Sequence, residues 1–387
     1  MRIVVLGMMG QSPFGGQTWM HLHWLLGFHR RGHEVWYVED SAAWPFDPVQ
    51  NTLTDDCRYA VQHIAGAMTR VGLPERWAYR LAERPEQTWG RTAGQLRELY
   101  RSCDVLVNLT GGTILTEDHL AARCRVYLET DPVTLELQVA RGDAFCREVL
   151  DRHTAHVTYG ENYGAADCGV PLAGIQWRKT RQPIALDWWP MVFDADAAHF
   201  TTIGNYRQTG SDIEYNGTTY YWSKHHEWEK FLSLPQQTQQ SLEVAMMFSQ
   251  AGDRERLTAA GWRIVSPYEM SLDVFGAYPR YFQQSRAEFT VAKDQNIRLR
   301  SGWFSERDVC YLATGKPVVT QDTGFPCAVP TGQGLFAFRT LAEAVAAIAE
   351  INAHYEQHCR AARDLAAEYF DCEKIAAQFL RDIGRTG

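Results

Sequence analysis

The residues best suited to chemistry lie between Ser301 and Val319, a segment that reads as a loop, a helix opened by Gly302 or Ser305, a tight turn at Gly315 and a buried strand ending Pro317-Val318-Val319. A helix N-terminus presents unpaired backbone N–H groups and a partial positive charge, which is a seat for phosphate. Lys293, Arg298 and Arg300 come just before it and add full positive charge. Each also has a plainer reading: Ser305 as a helix cap, Glu306 as a first-turn partner of the helix dipole, the arginines as solvated surface.

Groups able to take a proton occur in the first half. His21 and His23 follow a Gly15-Gly16 loop, and Asp131 and Glu161 stand at the ends of expected strands. The two histidines are two residues apart and cannot share one helix face, so at most one is expected to point into a site. Asp131 before Pro132 also suits a turn. Other constellations fail. His354 and His358 have helical spacing, but Glu356 between them is out of the metalloprotease order, so no metal site is expected. Gly7-Met8-Met9-Gly10 does not fit the dinucleotide fingerprint, even with Glu39 after the second strand.

The elements that must hold these residues alternate between strand and helix. Arg2–Gly7, a helical stretch from Thr18 to Arg31 and Glu34–Val38 make one βαβ unit, and strand patterns recur near 104–108, 125–128 and 156–159. Around 170–200, Pro171, Pro183 and Pro190 lie near Trp177, Trp188 and Trp189 without a helical period, which marks a boundary. A second strand series follows near 199–204, 241–248, 262–265, 287–292 and 317–320, and helices close the chain. With 387 residues two domains are expected. They are residues 1–185 and 186–365, with 366–387 as a terminal helix packing back on the first.

The 45% apolar content and 13 Trp describe a folded globular protein. A net charge of −8 argues against a general nucleic-acid binder, so no nucleic-acid partner is expected. Nine scattered cysteines without a CxxC pair suit buried free thiols, and no apolar run reaches the length of a membrane span; a cytoplasmic location is expected.

The 301–319 segment resembles the C-terminal donor-site signature of GT-B fold glycosyltransferases, in which a loop and helix end in Gly-x-Pro-Val-Val before a strand. Gly315 to Val319 match that ending, and Thr323-Gly324 stand in the glycine-containing turn that borders the sugar and phosphates. Gly15-Gly16 opening a helix that ends Arg31-Gly32-His33-Glu34-Val35 is similar to the first βαβ unit of those enzymes. The resemblance implies two Rossmann-like domains with parallel sheets facing across a cleft. It implies a donor site at Lys293, Arg298, Arg300, Gly302, Ser305, Glu306, Asp308, Thr323 and Gly324. It places the acceptor side at Gly15, Gly16, His23 and Glu161, with His21 or Asp131 as catalytic base. A nucleotide-diphosphate sugar would be co-substrate, with no cofactor and no metal, and the acceptor a hydroxyl-bearing small molecule. Two departures stand out. The paired glutamates of many retaining members fall on Gly302 and Cys310, and the His-Cys-Gly-Trp-Asn-Ser of inverting plant-type members is replaced by Arg300 to Ser305. A binding or scaffold protein without turnover, or a sugar-nucleotide epimerase, would fit the same donor signature.

Overall fold

Parallel strands buried on both faces read as unbroken apolar runs, and Ile3 to Leu6 are each fully buried. In the computed structural model, which describes residues 1–385 except 42, 82, 83 and 251, two such sheets carry the chain. The first has the spatial order Trp177–Lys179, Ala155–Thr158, Arg125–Glu129, Val105–Leu109, Arg2–Leu6, Glu34–Glu39, Trp77–Arg80 and Thr88–Trp89, parallel throughout except for its last pair. The second has the order Arg263–Val265, Ser241–Met247, His199–Asn205, Ala287–Thr290, Val318–Gln321 and Leu335–Phe338, all parallel.

In each sheet the first strand in sequence lies inside, so the winding direction reverses beside it, and ligands bind in α/β sheets at such a reversal, outside the carboxyl ends of the strands. Those ends meet here. Thr130, Asp131 and Tyr159 follow strands of the first sheet, Asn205 and Thr290 end strands of the second, and all five line one cleft.

The Gly15–Arg30 helix joins the halves. Trp19 donates its indole N–H to the Val274 carbonyl at 2.8 Å, and Gly15 lies so close beneath the Tyr278 ring that a Cβ would meet it at 2.4 Å. The Cys372–Asp382 helix, capped by Asp371, returns to the first half and sets Phe379 against Trp24 and Phe28, with ring centroids 5.1 and 5.6 Å apart. The return starts there, so the expected limit at 366 falls inside the preceding helix, Tyr355–Tyr369, which packs on the second half.

Two regions differ from the sequence reading. The proline-rich 170–200 stretch, expected to hold only a boundary, contains Trp177–Lys179, the edge strand of the first sheet. The segment 206–240, an insertion between the first two strands of the second half, folds as a hairpin and a short helix that reach over the cleft. Among the described residues no helix is long and apolar enough to cross a membrane.

Candidate functional site

The cleft contains two adjoining chambers. One, of about 320 Å³, is lined by Gln17, Asp131, Lys224, Lys293, Trp303 and Arg307 among others. The second, of about 500 Å³, has aromatic walls in Phe14, Phe46, Trp19, Tyr268 and Tyr278; the Phe14 ring lies 5.8 Å from Phe46 and 5.9 Å from Tyr268. Ser305, Glu306 and Arg307, the start of the Glu306–Ala313 helix, line both chambers. Ser305 caps that helix, its hydroxyl accepting the Arg307 N–H at 3.3 Å.

Charge is concentrated in the first chamber. Lys224 comes from the 206–240 insertion, its ammonium 5.2 Å from the centre of the Trp303 ring, and burial together with the nearby Arg307 charge brings its pKa down to about 7. Lys293 ion-pairs with Asp131 across the cleft and lies 3.9 Å above the Trp222 ring; burial lowers its pKa, and Asp131 opposes that shift. Trp222 donates its indole N–H to Asp131 Oδ2 at 3.1 Å. Arg307 is tied to the Glu288 carboxylate at 2.6 Å, the Ile203 carbonyl at 2.8 Å and the Thr290 hydroxyl at 2.8 Å.

Glu306 is the other carboxyl here. His23 Nδ1–H donates to its Oε1 at 3.2 Å, and Trp189 donates to His23 Nε2 at 2.9 Å, which fixes the tautomer. Glu306 Oε2 has no partner among the described residues, and burial pushes the carboxyl up to about 8.

The expected residues separate accordingly. Lys293, Asp131, Ser305 and Glu306 share the charged chamber, and Gly16 lines the aromatic one. His21 is sealed: its Nε2 accepts the Met8 N–H at 3.2 Å, its Nδ1–H donates to the Gln17 carbonyl at 2.7 Å, and burial lowers its pKa to about 4. No free nitrogen remains for an acceptor. His23, brought down to about 3 by burial and then by Arg30, acts on Glu306 and not on a ligand.

Glu161 is held by Arg181 at 2.5 Å. Gly302, at φ 81°, and Gly324, at φ 98°, make room for the loop of the first half at Asn162; a Cβ on Gly302 would come within 2.2 Å of the Asn162 nitrogen. The Gly302 N–H donates to the Thr323 carbonyl at 2.8 Å, and Asp308 is buried beside Arg307. These residues build the seam under the site. Arg298 turns to Asp294 and the Thr219 carbonyl, and Arg300 to Asp167 and Asp322, so neither lines the cleft.

Lys224, Arg307, Gln17 and Trp303 are the cleft residues that sequence reasoning missed. Arg307 and Trp303 lay inside the segment singled out, but their direction is a tertiary matter. For Lys224 the only signal was a lysine between Trp222 and Trp228. Glu350, His354 and His358 do cluster within 4.8 Å. His358 Nδ1 accepts the Gly334 N–H at 3.3 Å, which leaves its proton on Nε2 facing Glu350 and no lone pair for a metal.

No family model matches the sequence, and no curated protein matches it. Solved structures do. An α-glucosyltransferase in complex with UDP and a 13-mer DNA superposes with a TM-score of 0.60 at 12% identity, covering 100% of this chain and 99% of that one. Anabaena Alr3699/HepE in complex with UDP gives 0.57 at 14%, covering 99% and 100%. Sucrose-phosphate synthase from Thermosynechococcus elongatus gives 0.56 at 10%, covering 98% and 97%. The likeness establishes the fold: this chain has the GT-B fold over its whole length. It also corrects one expectation. The net charge of −8 argues against a nucleic-acid partner, yet a protein of this fold has been captured on DNA, so net charge does not settle the acceptor.

Proposed function

We propose that this protein is a glycosyltransferase that moves a sugar from a nucleotide-diphosphate sugar to a hydroxyl of an acceptor. The observation that carries this is the convergence of Lys224, Lys293 and Arg307 with the first turn of the Glu306–Ala313 helix on one cavity between the two sheets. Cations and helix-end amides stabilise the charge that develops on a departing diphosphate. The aromatic chamber beyond that helix turn suits the flat, uncharged base of the nucleotide. Asp131, at the acceptor-side end of the charged chamber, is the base for the acceptor hydroxyl. Its Oδ2 takes Lys293 and Trp222, which leaves Oδ1 for the hydroxyl. UDP bound in similar structures supports the donor class, and those structures include both a complex with DNA and a sucrose-phosphate synthase, so the acceptor class is left to experiment.

A thermal-shift series with UDP, GDP, dTDP and ADP tests the donor site, because a ligand that binds only the folded state raises Tm by mass action. At least one diphosphate is expected to raise Tm and its matching nucleoside to do so far less. No shift with any of the four would overturn the reading. Because cationic side chains and helix-end amides line the diphosphate chamber, transfer is further expected to proceed unchanged in EDTA. Activity lost in EDTA and restored by Mg²⁺ or Mn²⁺ would show that a metal is required.

A further inference from the structure

Two carboxyls lie under the turn that carries Asp131. Glu129 ends a strand of the first sheet, Glu136 sits in the first turn of the Thr134–Ala140 helix, and they are 2% and 1% exposed. One oxygen of each is engaged. The Thr158 hydroxyl donates to Glu129 Oε2 at 2.6 Å, and the Val133 N–H donates to Glu136 Oε2 at 2.9 Å. Glu129 Oε1 and Glu136 Oε1 have no donor among the described residues, although the two side chains are within hydrogen-bonding reach of each other. Two ionised carboxylates there would repel and satisfy neither oxygen, whereas one proton between them satisfies both.

Between the two glutamates the chain makes a turn that needs holding. Val133 has φ 98° and ψ −53°, a conformation foreign to β-branched residues, which persists only where the surroundings impose it. Its amide is pinned by Glu136 Oε2 and by the Tyr163 hydroxyl at 3.1 Å. From the other half, Gln295 donates to the Thr134 hydroxyl at 3.0 Å. The turn so fixed points Asp131 at Lys293 and Trp222.

We infer that Glu129 and Glu136 share one proton, and that this proton holds the Val133 turn and thereby positions Asp131 in the cleft. The consequence for turnover rests on the transferase reading; the shared proton does not. Asp131 from the turn, Tyr127 from the Glu129 strand, and Thr158 and Tyr163 from the neighbouring strand and its loop face the pair. None is a cation. Burial, and then the charge of Glu136, raise Glu129 well above the ordinary carboxyl range, and burial raises Glu136. The proton is therefore held to higher pH than an ordinary carboxyl holds one, and where rising pH removes it, repulsion releases the turn.

The test compares wild type, Glu136→Gln, Glu129→Gln and Glu136→Ala. A glutamine amide donates permanently where the proton sits, so both Gln variants should keep the turn and lose its pH dependence. Glu136→Ala leaves the Val133 amide to the Tyr163 hydroxyl alone and should lower turnover by up to about 10²-fold, the effect of a small misplacement of a reacting group. Asp131's position is read without turnover from the Trp222 indole N–H resonance, assigned with Trp222→Phe. Titration of Lys293, 3.9 Å from that ring, moves it in every variant; wild type should show a further alkaline displacement that both Gln variants lack, and Glu136→Ala should be displaced already at neutral pH. The same alkaline shift in wild type and the Gln variants, or an undisturbed resonance in Glu136→Ala, overturns the inference. Resonances that behave as expected, with no transfer in any variant, would keep the shared proton and remove the transferase reading.

Discussion

Lys224→Ala should weaken the nucleotide sugar more than any other single substitution in the donor wall, by about 1.5–3 kcal/mol, roughly one to two orders of magnitude in Kd. Lys293 is already neutralised by Asp131, and Arg307 by Glu288, whereas the Lys224 ammonium faces the cavity with only a ring beneath it. The same substitution should weaken a pH dependence. With a pKa near 7, Lys224 is cationic below neutrality and loses its charge above it. The diphosphate of a nucleotide sugar does not titrate in this range, so wild-type affinity should fall as pH rises from 6 to 8, about one unit either side of that value, and the variant should keep only the smaller fall that ionisation of Glu306 toward pH 8 adds. Calorimetric titration at both pH values checks this. Arg298→Ala, outside the cleft, is the control expected to leave Kd unchanged. If Lys224→Ala bound the donor as wild type does, the cation would not belong to the phosphate site.

How much of this was legible in the sequence depends on how local the signal is. The loop, helix, turn and strand from Ser301 to Val319 could be read because each boundary is set by neighbours in sequence: Ser305 caps, Gly315 takes φ 74°, and Pro317 precedes the buried strand. The first βαβ unit was legible for the same reason. His21 and His23 were misread because the Gly15–Arg30 helix is buried on every side from Thr18 to Phe28, so no polar face exists to tell which way a histidine points.

Sequence proximity also misled at Arg298 and Arg300. The short Asp294–Arg298 helix intervenes after Lys293 and turns both toward carboxylates at the rim and the seam. Lys224 lay in a segment without periodicity, where pattern reasoning has no hold, and the pairing of Glu129 with Glu136 required a backbone conformation that no propensity assigns to valine.

Asp131→Asn should lower kcat by about 10²- to 10⁴-fold, the usual worth of a general base, while leaving donor affinity equal or stronger, because Lys293 loses its carboxylate partner and can turn to the diphosphate. The rival is Glu306. Its Oε2 lacks a partner among the described residues, and His23 and Trp189 hold it from behind, so it could also take a proton from an acceptor. The two assignments differ in pH dependence as well as in mutants. Burial pushes Glu306 up to about 8, so it is mainly neutral at pH 7 and becomes a base only as pH rises through that value. A rate carried by Glu306 would therefore climb between about pH 7 and 9 and lose that climb in Glu306→Gln. A rate carried by Asp131 would survive Glu306→Gln with a modest loss and would collapse in Asp131→Asn. Steady-state kinetics of both variants across that range, with the acceptor saturating, separates them. Near-wild-type kcat in Asp131→Asn, with an alkaline climb abolished by Glu306→Gln, would move the base from the first half of the chain to the phosphate-facing helix.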